Sequence, residues 1–330
     1  MKIAVAGSIA TDQLMTFPGR FVEQLDAERL HQLSLTLLVD DLVIRRGGVA
    51  ANICFGLAQL GLRPVLLGAV GSDFTEHRRS LESLGVDCNF VHVSDTRHTA
   101  RFVCMTDREN CQIATFYAGA MAETSAIRLA PVATRVGGLD LVLVGASDPE
   151  AMLAQAHECR ERSYPFAADP SQQLPRMTGG QILEFLNGAE YLLTNEYEKS
   201  LLQTKAGLSD ERLLDLVTVR VTTLGAGGVQ IAVRDADPIH VPVAGKVDTP
   251  DPTGGGDAFR AGFFAALSWS VSLERAAQVG SMVAAFALEH VGAQEYRIEP
   301  AAFLQRLSDG YGPAVAEDVR PHLFAMETMD

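Results

Sequence analysis

What most restricts the fold of this chain is an alternation of short, nearly wholly apolar runs with stretches of helical periodicity. Ile3-Ala4-Val5-Ala6-Gly7, Val65-Leu66-Leu67-Gly68-Ala69, Leu139–Gly145, Phe166–Asp169, Tyr191–Thr194 and Arg220–Thr223 read as strands. Val49–Gly61, Phe74–Gly85 and the segments after Pro149, Thr178 and Asn195 read as helices between them. Asp257–Leu267 and Leu273–His290 read as two more. A strand with one wet face alternates apolar and polar residues; a run such as Leu141-Val142-Leu143-Val144 must be covered on both faces. The pattern predicts βαβ units and an α/β fold with a mostly parallel sheet. No repeat, low-complexity stretch or linker interrupts it, so one domain is expected over residues 1–330.

Two segments break the alternation. Leu33–Val39 has period two, which predicts a half-buried strand, and Arg101–Met105 with Cys111–Tyr117 predicts a hairpin around Asp107-Arg108-Glu109-Asn110. Such strands enter a parallel sheet only by awkward crossings. A small separate sheet, a lid built from about 12–46 and 98–119, is the simpler expectation. Its apolar face needs a cover: the lid of a second copy, giving a homodimer, or the body of its own chain.

Composition narrows the functions. A net charge of -14 disfavours nucleic acid or an anionic membrane as partner. No apolar run reaches the ~20 residues of a membrane span, and the N-terminus lacks a signal-peptide pattern, so a cytoplasmic protein is expected. Cys54, Cys88, Cys104, Cys111 and Cys159 form no CxxC pair, and the eight histidines include no HExxH. G-x-x-x-x-G-K-[ST] is absent, and no G-x-G-x-x-G follows the first strand. Gly145-Ala146-Ser147-Asp148 lacks the second glycine of a nucleophile elbow.

The chemistry is concentrated in Asp251-Pro252-Thr253-Gly254-Gly255-Gly256-Asp257-Ala258-Phe259. Glycines before a helix let backbone N–H groups converge, and the helix N-terminus adds partial positive charge. Gly254, Gly255 and Gly256 thus form a candidate anion hole, with the Asp257 carboxylate beside it. Phosphoryl transfer to an alcohol needs both parts. Three further groups are weaker taken singly. Thr223-Leu224-Gly225-Ala226-Gly227-Gly228 suits a close approach to a nucleotide through Thr223, Gly225 and Gly228, and equally a plain hairpin turn. Asn195 and Glu198 suit the water shell of Mg²⁺, and equally a helix capping box. Ser8, Asp12, Gly48 and Asn52 suit a polyol, and equally turn chemistry.

Together, and in this order, these groups resemble the ribokinase-like (PfkB) family of carbohydrate and nucleoside kinases. Gly47-Gly48-Val49-Ala50-Ala51-Asn52 and D-x-T-G-x-G-D at Asp251–Asp257 carry the likeness across most of the chain. The resemblance implies a three-layer α/β/α core with a small β-sheet lid, ATP as donor, Mg²⁺, and Asp257 as base. A monovalent cation near Asp248 and Thr249 comes with the same likeness. Gly255 departs from the pattern, since alanine is usual there.

Within the family, the chain is most similar to bacterial adenosine kinases. Gly7–Asp12, His98–Phe102, Phe116–Met121 and Ala168–Gln173 carry that likeness. It implies transfer of the ATP γ-phosphoryl group to the 5′-hydroxyl of adenosine. Phe102 and Phe116 are placed to sandwich the purine, or simply to pack the lid sheet. Gln172 or Gln173 is placed to read the purine edge, and Thr36 to offer a hydroxyl to a neighbouring protomer's site. A sugar kinase of the same fold and a non-catalytic nucleoside-binding protein are the alternatives.

Overall fold

The structure, a computed structural model, describes residues 1–24, 35–109, 111–245, 247, 249 and 252–324. In chain order the strands are β1 (Ile3–Ala6), β2 (Ala10–Thr16), β3 (Asp41–Gly47), β4 (Val65–Leu67), β5 (Ala69–Val70), β6 (His92–Val93) and β7 (Ala100–Thr106). β8 (Gln112–Tyr117), β9 (Leu141–Val144), β10 (Phe166–Ala168), β11 (Ala189–Asn195), β12 (Val217–Thr223), β13 (Val229–Val233) and β14 (Ile239–Val241) follow. The helices are α1 (Phe21–Gln24), α2 (Val49–Gln59), α3 (Thr75–Ser83), α4 (Leu129–Val136), α5 (Pro149–Arg162) and α6 (Gly179–Leu186). Then come α7 (Glu196–Ala206), α8 (Asp210–Leu216), α9 (Gly255–Ser268), α10 (Leu273–Leu288), α11 (Pro300–Tyr311) and α12 (Pro313–Phe324).

The large sheet has the order β14-β13-β12-β11-β10-β9-β1-β4. Its pairs from β4 to β12 are parallel, and β13 alone runs against the others, pairing antiparallel with both β12 and β14. The unbroken apolar strands are explained by their two faces. Ile3 and Val5 of β1 join a core built with α2, α9 and α10, while Ala4 and Ala6 join one built with α4, α5 and α6. None of these four side chains is more than 1% exposed. At about 25 cal/mol per Å² of buried apolar surface, this two-sided burial is what drives the sheet to form.

The depth at which α9 lies is set by glycines. A Cβ on Gly262 would stand 2.8 Å from the Gly280 Cα, and one on Gly280 would stand 2.8 Å from the Phe259 carbonyl oxygen. α9 and α10 therefore cross backbone to backbone, which holds the start of α9 at the end of the sheet.

The small sheet has the order β3-β2-β7-β8. Its hairpin is the one the sequence predicts, with β7 and β8 antiparallel from Arg101↔Tyr117 to Thr106↔Gln112. The other predicted strand is a correction. Leu33 and Ser34 lie outside the described residues, and Leu35–Val39 is irregular. The partner of β2 is β3, paired from Ala10↔Gly47 to Thr16↔Asp41. Beyond Thr16 the chain bends at Pro18-Gly19, so among the described residues Leu35–Val39 has no strand to pair with, and Leu38 is left 84% exposed. Among the described residues no helix is long and apolar enough to cross a membrane.

Candidate active site

α9 begins at Gly255, two residues before the expected start, with Gly254 at its N-cap in the left-handed region at φ +82°. A Cβ on Gly254 would lie 2.4 Å from that of Ala293, so packing as well as φ demands glycine there. Asp257 therefore sits inside the first turn. Its side chain caps nothing, and the first-turn amides of Gly255, Gly256 and Asp257 have no partner within the helix. That is the arrangement of an anion site.

The Asp257 carboxylate accepts a hydrogen bond from Asn52 Nδ2 at 2.8 Å through its Oδ2. Burial raises its pKa to about 6, Arg260 and the Asn52 bond oppose that, and Asp169 and Glu198 add to it. A carboxyl that titrates near neutrality is better matched to accepting a proton than an ordinary one.

Arg260 was not among the residues singled out by motif, and Asp169 entered only within the segment Ala168–Gln173, with no role assigned to it. Arg260 Nε and Nη2 both donate to the Asp169 carboxylate, the latter at 2.7 Å, and Nη1 donates to the Gly256 carbonyl at 3.0 Å. Asp169 is fully buried and Arg260 is 6% exposed, an arrangement that needs this bidentate pairing. The pair thereby ties the end of β10 to the glycine turn. A charged residue directly after the apolar strand Phe166–Ala168, and an arginine one turn after Asp257 in an apolar helix, were the signals available.

Asn195 and Glu198 form the capping box: Asn195 Oδ1 accepts from the Glu198 N–H at 2.7 Å, and Glu198 Oε2 accepts from the Asn195 N–H at 2.8 Å. Burial and the nearby Asp169 raise the Glu198 pKa. Among the described residues no three His, Cys, Asp or Glu side chains converge to hold a metal ion. Three carboxylates, Asp169, Glu198 and Asp257, nonetheless face a single guanidinium. That surplus fits a divalent ion held largely by water and phosphate oxygens. Asp248 lies outside the described residues, so the monovalent-cation expectation is left with Thr249, whose Oγ1 donates to the Val247 carbonyl at 3.4 Å.

Thr223 ends β12, and Thr223↔Val229 is the last pair of the β12–β13 hairpin. The glycine turn is thus a hairpin turn. Gly228 is demanded by it, since a Cβ there would stand 2.1 Å from the Val241 carbonyl oxygen. Gly225, at φ +56° with open space around its Cα, is free to face a ligand.

On the other side, Gly48 has φ +96°, and a Cβ would come within 2.6 Å of the Ser8–Ala10 backbone. Ser8 Oγ accepts the Val49 N–H at 3.0 Å and so caps α2. Register places Asp12 beside Arg45, Phe102 beside Asp12 and Phe116 beside Phe102, so all four lie in one row on one face of the small sheet. The Asp12 carboxylate lies over Gly47, where a Cβ would be 2.6 Å from its Oδ2. Arg45 reaches the loop after α10, 3.8 Å from Glu295. At the base of β7, hydrogen bonds from Thr99 and Arg101 outweigh burial and lower the Asp73 pKa to about 2. Thr36 is exposed on irregular chain. The two glutamines part: Gln173 is buried, while Gln172 is exposed and its Oε1 accepts from Ser171 Oγ at 2.5 Å.

The fold is the ribokinase-like one. Residues 10–300 match the pfkB family of carbohydrate kinases, and the chain belongs to that family. Among curated relatives it is 30% identical over 255 residues to a nucleoside kinase of Methanocaldococcus jannaschii, spanning 75% of this chain and 80% of that protein. It is 24% identical over 297 residues to the ribokinase of Bacillus subtilis, spanning 89% and 94%. A solved nucleoside kinase of Burkholderia thailandensis, in complex with inosine, superposes with a TM-score of 0.83 at 29% identity, covering 94% of this chain and 99% of that one. The chain is therefore a kinase of the ribokinase family whose relatives include nucleoside kinases.

Proposed function

We propose that this protein transfers the γ-phosphoryl group of ATP to the 5′-hydroxyl of a purine nucleoside, with adenosine as the acceptor, giving AMP and ADP. The observation that carries this reading is the row Asp12, Phe102, Phe116 on one face of the small sheet. A carboxylate that accepts from two vicinal ribose hydroxyls lies there beside two aromatic rings, which suit the π-faces of a base. The nucleoside kinase relatives and the inosine complex support a nucleoside over a free sugar.

In this reading the nucleoside sits between that row and α9. Asp257 Oδ2 is held by Asn52, which leaves Oδ1 for the 5′-hydroxyl. The hydroxyl oxygen forms the new bond to the γ-phosphorus, its proton passes to Asp257, and the bridging bond to the β-phosphate breaks. The first-turn amides of Gly255, Gly256 and Asp257 receive the charge on the transferring group. Closure of the small sheet excludes water as a competing acceptor. Thr223 and Gly225 face the nucleotide, and Glu198 and Asn195 would hold hydration waters of Mg²⁺, which supplies charge neutralisation on the phosphates. Without a P-loop lysine, positioning supplies most of the rate.

The opposite face of the small sheet supports a homodimer: Leu42, Ile44 and Ile113 point there and are 52%, 60% and 46% exposed. A second copy covering them leaves the other face, which carries Asp12, Phe102 and Phe116, uncovered by that contact.

The test is ADP release from ATP and Mg²⁺ with adenosine, inosine, guanosine, ribose and fructose as acceptors. Turnover with adenosine above the free sugars supports the proposal, and preferential turnover of ribose sinks it. Phe102→Ala is expected to raise the nucleoside KM about five-fold or more, from the ~1–3 kcal/mol of a lost base stack. An unchanged KM removes the aromatic pair from the site.

A further inference from the structure

We propose that Gln294 and His77, which touch neither substrate, are positioning residues: they fix which way the Asn52 amide faces and so preserve the hydrogen bond that Asp257 receives. The proposal rests on the reading of Asp257 as the base.

Three elements distant in sequence meet in one chain of hydrogen bonds. Asn52 Nδ2, on α2, donates to Asp257 Oδ2 at 2.8 Å. Gln294 Nε2, on the loop after α10, donates to Asn52 Oδ1 at 2.8 Å. His77 Nε2, on α3, lies 3.0 Å from Gln294 Oε1. Asn52, Gln294 and His77 are only 6%, 6% and 5% exposed.

The direction of the chain is forced. An ionised carboxylate only accepts, so Asn52 must turn its nitrogen to Asp257, which leaves Asn52 Oδ1 needing a donor. Gln294 supplies that donor, and its own Oε1 then needs one from His77. His77 is thereby the neutral tautomer with its proton on Nε2, and its buried Nδ1 has no partner. Burial above all, with Arg46 adding, lowers its pKa to about 4. It stays a neutral donor through the neutral range.

The two ends of an asparagine amide are nearly the same size, so sterics alone does not orient Asn52. Flipped, it would set Oδ1 against the carboxylate, where two acceptors repel and the protonated base is favoured. The groups facing Asp257 are Arg260 on its own helix, Asn52 on α2, Asp169 after β10, Glu198 on α7 and Tyr296 after α10. Those facing His77 are Gln294, Arg46 on β3 and the Phe74 ring. None except Asn52 can deliver a donor to Asp257 Oδ2 that a flip removes.

Gln294→Glu inverts the chain. A carboxylate at 294 accepts from His77 and from the Asn52 nitrogen, which turns Asn52 Oδ1 toward Asp257. The experiment measures kcat and KM from pH 5 to 9 with ATP, Mg²⁺ and whichever of adenosine and inosine is turned over. The expected result is an acid limb of kcat moved up by about one pH unit, which from a carboxyl at about 6 is a loss of about two-fold at pH 7 and approaches ten-fold at pH 5. The nucleoside KM stays within about two-fold, because the substrate contacts are untouched. A profile that overlays the wild type overturns the proposal.

Should that variant not fold, His77→Leu and His77→Gln decide. The leucine removes the donor and raises the limb, and the glutamine amide restores it; equal profiles overturn the proposal. Asp257→Asn is run beside them. If it keeps near-normal turnover, the base assignment fails; if it is inactive while the limbs do not move, only the role of Gln294 and His77 fails.

Discussion

Asp257 should make this fold less stable than it need be, and replacing it should reveal by how much. Its carboxyl rises from 3.8 to about 6 because burial disfavours the charged form. The native state therefore holds that proton more tightly than the unfolded chain does. Stability contributed by the group is intact below about pH 4 and is lost as pH rises through 6. Roughly two pKa units at 1.36 kcal/mol each give about 3 kcal/mol. The side chain is only partly buried and opens onto the site, so solvent screening brings a realistic figure to about 1–2 kcal/mol. In Asp257→Asn the amide oxygen still accepts from Asn52 Nδ2, so the packing is kept and only the charge goes. Urea unfolding of both proteins from pH 4 to 8 should show equal stability at pH 4 and a variant about 1–2 kcal/mol more stable at pH 7.5, with turnover abolished. A stability difference that does not change with pH would refute the argument, since a packing effect has no reason to titrate.

Gly254→Ala should cost about 2–3 kcal/mol and lower Tm by several degrees, because φ +82° is unfavourable for alanine and its Cβ would meet Ala293 at 2.4 Å. Gly255→Ala should be nearly neutral by thermal melting: the residue is helical, and the neighbour its Cβ meets is the mobile end of Leu288. Equal losses at both positions would contradict the distinction. Cys111 is the one exposed thiol of five, so the native protein should titrate one equivalent of a thiol reagent, and Cys111→Ser none. Rapid reaction of a second thiol would show that Cys54, Cys88, Cys104 or Cys159 is not buried as described.

The strands were legible because a sheet covered on both faces demands uninterrupted apolar runs, and Leu141–Val144 can satisfy nothing else. The glycine turn before Asp257 was legible because its backbone geometry is local. What stayed hidden depends on distance along the chain. Asn52 reads as a substrate ligand beside Gly48, yet its nitrogen goes to Asp257, 205 residues on, and its oxygen to Gln294, 242 residues on. Arg260 finds Asp169 across 91 residues, and His77 finds Gln294 across 217. No spacing rule reaches that far. Leu35–Val39 misleads for the opposite reason: local alternation is present, but among the described residues no neighbouring strand extends to meet it.

The small sheet is built from two excursions with pinched necks. The first leaves the core at Ser8 and returns at Gly48, closed by the bond from the Ala50 N–H to the Ser8 carbonyl at 3.0 Å. The second leaves at His98 and returns at Gly119, closed by the Ala120 N–H to the His98 carbonyl at 2.9 Å. A loop whose ends already touch can be lengthened or rewritten at little cost to the rest of the chain, since closure entropy grows only slowly with length. Each excursion is in effect a cassette. On the proposed reading, the residues that choose the acceptor sit on the cassettes, and those that move the phosphoryl group sit on α9 and the sheet. New acceptors can then be acquired by exchanging cassettes while the reaction itself is inherited unchanged.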